Sequence, residues 1–227
     1  MRNNEIRLLM TRNYLIFSLF LVITACNNSG SDTSNADSTS KETPIPPDIP
    51  ITTIPSVAKI PDSLLLKRTI EITTILDKKE YTRLADFFHP TEGVRFTPYG
   101  YIDTTQDIKF TKDQFLSQLK NKSKQHWGSY DGSGDPINLT VEEYFKKFVY
   151  DVKFLQPEKL SVNKTLGQGN SLDNLSSIYS GASYTESYFS GFDKKYGGMD
   201  WRSLKLIYKI LDGKLYLVGI VHGQWTI

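Results

Sequence analysis

The chain has 227 residues, 39% hydrophobic and 12% aromatic, which is enough to bury one sizeable core and excludes a mostly disordered protein. Its 27 Lys and Arg stand against 25 Asp and Glu, and the first 25 residues hold Arg2, Arg7 and Arg12 against Glu5, so the rest of the chain is neutral. No basic excess remains for a nucleic-acid partner, and a lone cysteine excludes an intramolecular disulfide.

Residues 14–25, YLIFSLFLVITA, come after Arg7 and Arg12 and form an apolar run that reads as a signal peptide. The run is too short for a membrane-spanning helix, which needs about 20 apolar residues. Met10 offers a second start with a shorter leader. The end of the run, Ile23-Thr24-Ala25-Cys26, resembles the lipobox of bacterial lipoproteins. The resemblance implies that Cys26 is acylated, becomes the N-terminus and binds the membrane through its lipid. Residue 27 is Asn and not the Asp that such lipoproteins use for inner-membrane retention, so the resemblance implies the outer membrane. Residues 26–61 are Ser/Asn/Asp-rich and then Pro-rich (PIPPDIPITTIP), the composition of a tether that is flexible first and polyproline-like after.

The folded domain is expected over 62–227. Leu65, Leu66, Ile72, Ile75 and Leu76 have largely helical spacing over 62–76, and Asp77 with Glu80 resembles a capping box that restarts a helix burying Tyr81, Leu84, Phe87 and Phe88, stopping at His89-Pro90. Thr111 with Gln114 and Thr140 with Glu143 open two more helices, the second carrying Tyr144, Phe145, Phe148 and Val149. VRFTPYGYI at 94–102 is an expected edge strand or hairpin. After about residue 176 alternation takes over. Leu204, Leu206, Tyr208 and Ile210 alternate with Ser203, Lys205 and Lys209; Asp212-Gly213 is a two-residue hairpin turn, and KLYLVGIVHGQWTI returns antiparallel as a central strand, with YTESYFSGF pairing nearby. The fold class is α+β, with N-terminal helices on one face of a curved antiparallel sheet.

The segments HPTEGVRFTPYGYI, HWGSYDGSGDPI with EYFKKFVYD, and GMDWRSLKLIY ending in LVGIVHGQWTI are similar to a family of secreted or lipid-anchored bacterial domains. The element order resembles the nuclear-transport-factor-2-like (SnoaL-like) cone. That cone hosts isomerases, dehydratases, binding modules and scaffolds, so the resemblance implies a pocket and no particular reaction.

Several residues are candidates for chemistry. Asp131, Ser133 and Asp135 with Glu142 fall at relative positions 1, 3, 5 and 12 of a calcium loop, but position 6 is Pro136 where a glycine is needed. A Gly-rich turn is the preferred reading, and no metal or other cofactor is expected. Of His89, His126 and His222, no two have close ligand spacing. His89 sits at a helix end, where the helix dipole accounts for it. His222 shares the parity of Tyr216, Val218 and Ile220. Arg202 has the parity of the apolar face and needs a partner; Glu186 pairing with Arg202 or Arg95 is the structural reading. The functional reading makes Glu186 or Asp200 a general base, His222 an acid and Arg202 an anion clamp. Tyr99, Tyr101, Trp127, Tyr130, Trp201 and Trp225 lie beside Gly and Asp, as aromatics of sugar or peptide clefts do, or close the ends of a core. No nucleotide, serine-hydrolase or zinc-protease signature is present. The expected function is therefore a lipid-anchored, non-catalytic module that binds a small molecule, glycan or envelope protein. An acid–base enzyme and a scaffold forming a homodimer through a sheet face are the alternatives.

Overall fold

The structure, a computed structural model, describes residues 60–167, 169–170 and 172–226. The expected leader, the expected lipidation at Cys26 and the expected tether up to residue 59 lie outside the described residues. No helix among the described residues is long and apolar enough to cross a membrane.

Helix α1 (Asp62–Asp77) buries Leu65, Ile72, Ile75 and Leu76, and a polar stripe of Thr69 and Thr73 runs between them. The Thr69 hydroxyl donates to the Leu65 carbonyl and lies 2.7 Å from Thr185 Oγ1 and 3.0 Å from the Tyr208 hydroxyl, which fixes the helix on the sheet. The expected capping box at Asp77 and Glu80 does not form. The apolar stripe carries α1 through Asp77, whose carboxylate accepts from the Tyr150 hydroxyl at 3.1 Å. Lys79 then takes φ 57° and turns the chain, and Glu80 pairs with Arg83 instead of capping. The second helix is short, α2 (Tyr81–Leu84) followed by a 3-10 turn at Ala85–Phe87, and Phe87 is only half-buried, under the Arg68 guanidinium. The other two capping boxes form as expected. In α3 (Lys112–Asn121) Thr111 Oγ1 accepts from the Gln114 amide, and in α4 (Val141–Phe148) Thr140 Oγ1 accepts from the Glu143 amide, with the reciprocal bonds at 2.9 and 2.8 Å.

The main sheet has six strands: β1 (Val94–Thr97), β2 (Lys109–Phe110), β5 (Lys159–Val162), β6 (Ser183–Phe189), β7 (Arg202–Leu211) and β8 (Lys214–Gln224). Their order is β2-β1-β8-β7-β6-β5. The β7–β8 hairpin turns at Asp212 and Gly213, both at positive φ as a two-residue turn requires, and β8 is internal as its two apolar faces demand. Two expectations are corrected. β1 is not an edge strand, because β2 flanks it, and it runs parallel to β8, so the sheet is mixed and not purely antiparallel. A separate hairpin of β3 (Gln125–Ser129) and β4 (Pro136–Leu139) was read from sequence only as a turn, and β5 and the short α5 (Leu175–Ile178) were not anticipated.

The pleat divides the sheet into two faces. Leu204 pairs with His222 and Leu206 with Ile220, on the face covered by the helices. Glu186 pairs with Lys205, one residue out of step, and so belongs to the opposite face. The helix face holds an aromatic core in which Phe96 meets Phe115 stacked at 6.0 Å and Trp127 edge-on at 5.8 Å, and Trp127 stacks on Tyr144 at 3.8 Å. The opposite face has a smaller apolar cluster of Ile102, Leu175, Tyr179, Ile207, Val218 and Val221.

Candidate functional site

A cleft of about 720 Å³ lies on the helix-face side where α4 ends and β7 begins. Lys146 and Lys147 enter it from the last turn of α4, Asp151 and Val152 from the loop after that helix, Asp200 and Arg202 from the start of β7, and Phe192 from the β6–β7 connection. Arg202 Nε donates to Asp151 Oδ2 at 2.8 Å, and Asp151 Oδ1 lies 3.2 Å from His222 Nε2. His222 Nδ1 is 3.2 Å from the Pro98 carbonyl, so both ring nitrogens face oxygen acceptors; a singly protonated ring fills one contact and a doubly protonated ring both. Burial opposes ionisation of Asp151, but the hydrogen bond from His222 and the charges of His222 and Arg202 outweigh it and hold the carboxyl below its ordinary value.

This arrangement corrects the expected constellation. Arg202 does need a partner, but the partner is Asp151 and neither Glu186 nor Arg95 is involved. Glu186 lies on the far face, wholly buried, where Oε2 accepts from the Leu166 amide and Oε1 from the Gly167 amide at 3.2 Å. Arg95, also on that face, donates to the Thr104 and Asp107 carbonyls. Asp200 does line the cleft beside Arg202, yet its Oδ2 accepts from the Phe192 and Asp193 amides at 2.9 and 2.8 Å. Those bonds act against its partial burial and keep its carboxyl low. His222 has no exposed surface, so a ligand in the cleft can reach Asp151 but not the imidazole. What the cleft offers chemically is a mostly apolar lining with cationic and carboxylate groups set into it.

The aromatics do not form one cleft. Trp127 is core, with Nε1 donating to the Leu139 carbonyl at 2.8 Å. Trp201 is 7% exposed and packs on the far face against Gly167 and Gly223, where an added Cβ would meet its ring at 2.6 and 3.0 Å. Tyr99 and the exposed Tyr101 do meet, in a hollow with Asp103, Gln106, Asp107 and Asp131. Burial pushes the Asp107 carboxyl up to about 6, against hydrogen bonds from the Thr97 hydroxyl and the Asp103 amide.

The loop of Asp131, Ser133 and Asp135 is the β3–β4 turn: the Gly134 amide donates to the Tyr130 carbonyl, and the Asp135 amide to Ser133 Oγ. Among the described residues no group of three or more His, Cys, Asp or Glu is placed to hold a metal ion. His89 accepts the Glu92 amide at Nδ1, 3.0 Å, a turn-capping contact and not one with a helix end. Sequence reasoning missed Asp151, Lys146, Lys147 and Phe192 as site residues, although the first three lie in the quoted segment EYFKKFVYD. Only the unsatisfied charge of Arg202 signalled that such a partner had to exist. Lys205, read from sequence only as alternating with the apolar residues of its strand, is 5% exposed and bonded to Asp173 at 2.8 Å.

No family model and no curated protein matches this chain. Among solved structures, the chain is similar to one from Xanthomonas campestris assigned as a calcium/calmodulin dependent protein kinase II association domain. Identity is 11%, covering 74% of this chain and 90% of that chain, with a TM-score of 0.31, too low to carry fold or function across.

Proposed function

We propose that the protein is a lipid-anchored, non-catalytic binding module of the bacterial cell envelope, held through Cys26 at the outer membrane by a flexible tether, with a divergent cone-like domain. The observation that carries the non-catalytic part is the separation of the acid–base candidates. Glu186 is on one face and His222 on the other; both oxygens of Glu186 and Oδ2 of Asp200 are occupied by backbone amides, and His222 is closed off from the cleft. The helix-face interior, where a cone would hold a substrate, is filled by Phe96, Phe115, Trp127, Tyr144, Phe145 and Phe148. Binding then falls to the open cleft, whose Val152 and Phe192 suit an apolar group and whose Lys146, Lys147 and Arg202 suit an anionic one.

Cell fractionation tests the anchor: Cys26→Ser is expected to move the protein from the membrane to the soluble fraction, and unchanged fractionation would contradict the assignment. Catalysis has its own test. Turnover of any substrate by the purified protein that is lost on Glu186→Gln or His222→Ala, in a variant that stays folded, would overturn the non-catalytic reading.

A further inference from the structure

The strand parity that carries Lys205 to the far face carries Ser203 and Trp201 with it, so the start of β7 lays an ammonium, a hydroxyl and an indole in one row. The connection between β5 and α5 passes over this row. Glu186 holds it by the Leu166 and Gly167 amides, and Lys205 holds it by Asp173. Between strand and connection lies a cavity of about 30 Å³, lined by Trp201, Ser203 and Lys205 and by glycine, with Gly167 and Gly169 on the connection and Gly223 on β8. That is room for about two water-sized groups. The glycines keep it open: a Cβ at Gly223 would lie 2.3 Å from Ser203 Oγ, and one at Gly169 would lie 3.1 Å from the indole ring.

All three polar side chains of the row are more than nine-tenths buried. Trp201 Nε1 is buried as well and has no hydrogen-bond partner among the described residues. A buried N–H without an acceptor is costly, and an acceptor brought by a ligand removes that cost. The neighbouring bonds define which acceptor. Both oxygens of Glu186 take backbone amides; Asp173 takes the Leu175 amide at Oδ1, and the Thr165 hydroxyl and Lys205 at Oδ2. The carboxylates are therefore occupied, whereas the indole N–H and the ammonium group can only donate. Charge narrows the class further, since Glu186 and Asp173 stand against Lys205 alone and a third negative charge would be repelled. A hydroxyl would bring a proton of its own to a place whose carboxylates are taken. A carbonyl oxygen brings neither charge nor proton.

We propose that this cavity is a second binding site, on the opposite side of the sheet from the α4–β7 cleft, and that it takes a small uncharged carbonyl group of acetyl size. The carbonyl oxygen accepts from Trp201 Nε1, with Ser203 and Lys205 as further donors, and the methyl group lies toward Val221 and the bare glycine backbone. The site shares no residue with the lysines and Phe192 of the cleft, and it requires neither the lipid anchor nor the cleft to be correctly assigned.

The test uses the nitrogen-15-labelled chain from residue 26 with Cys26→Ser and three probes of one shape: acetone, 2-propanol and acetate. The chain has three tryptophans, and Trp201→Phe identifies the Trp201 indole signal among them. Titration with acetone is expected to move that signal to saturation, together with the amides of Gly169 and Gly223, while Trp127, already bonded to the Leu139 carbonyl, stays in place. The alcohol and the anion should each bind at least about threefold more weakly than acetone. Trp201→Phe keeps most of the ring packing and removes the N–H; it should weaken acetone binding about threefold to tenfold, followed at the Gly223 amide. Gly169→Ala, at a glycine outside the left-handed region, should weaken it by filling the space, and carries the test if the tryptophan variant unfolds. A shift that stays linear in acetone, acetate or 2-propanol binding as tightly as acetone, or binding unchanged in both variants would each overturn the proposal. So would an internal water on Trp201 Nε1 that acetone does not displace.

Discussion

The two faces of the sheet are built on different physics. The helix face is closed by interlocked aromatic rings, and among the described residues its core contains one unsatisfied polar group, the Tyr144 hydroxyl. The opposite face has a small apolar cluster and is closed by polar bonds: Glu186 to two amides, Lys205 to Asp173, and Asn174 to both backbone groups of Ile102 at 2.9 Å. Rings exclude water and tolerate no loss of volume. Polar closures hold a chain segment in one place and respond to charge.

The largest effect should come from breaking the aromatic face. Trp127→Ala removes the ring between Phe96 and Tyr144 and is expected to destabilise the domain by about 3–5 kcal/mol, read from the midpoint of urea unfolding. A cost below about 1 kcal/mol would mean that the rings do not carry that face. Glu186→Ala, on the polar face, leaves the Leu166 and Gly167 amides without their acceptor at a cost of about 1–3 kcal/mol. Its distinguishing sign is local. Amide exchange should rise in the connection between β5 and α5 while β7 and β8 stay protected, and uniform loss of protection would erase the contrast between the faces.

The smallest effect concerns pH. Asp107 belongs to the polar face, since Thr97, its hydrogen-bond partner, aligns with Val221. Its carboxyl is pushed up to about 6 by burial. Between about pH 4 and pH 6 the folded chain therefore keeps a proton that the unfolded chain has lost, and stability falls as pH rises through that window. Asp107→Asn keeps an acceptor for the Thr97 hydroxyl and should remove this slope, with a gain on the order of 1 kcal/mol at pH 7. Asp151 works in the other direction: its carboxyl is held low, so its contribution is present above about pH 4 and is lost as pH falls through its folded value. Unfolding midpoints of the parent and the Asn variant across pH 4 to 7 separate the two, and identical slopes would remove Asp107 from the account.

Capping boxes at Thr111 and Thr140, the turn at Asp212-Gly213 and the central position of β8 were legible because each depends on residues within a few positions of one another. The box at Asp77 and Glu80 misled because the same short pattern also occurs where an apolar stripe carries the preceding helix through the first residue of the pattern. The burial of Lys205 was not legible for a related reason: alternation tells which residues share a face, not whether a distant segment covers that face. Parity predicted that Arg202 would need a partner and could not name Asp151, which lies 51 positions away.

By itself the sequence determined the α+β class, the start of three helices, the final hairpin and the features that resemble a lipid anchor, all of them encoded in local spacing and composition. Only the tertiary structure decided that β1 lies parallel inside the sheet, that Glu186 and His222 fall on opposite faces, and that a cleft opens between α4 and β7. Those outcomes depend on which segments meet across long stretches of chain, and burial, not spacing, selects those meetings.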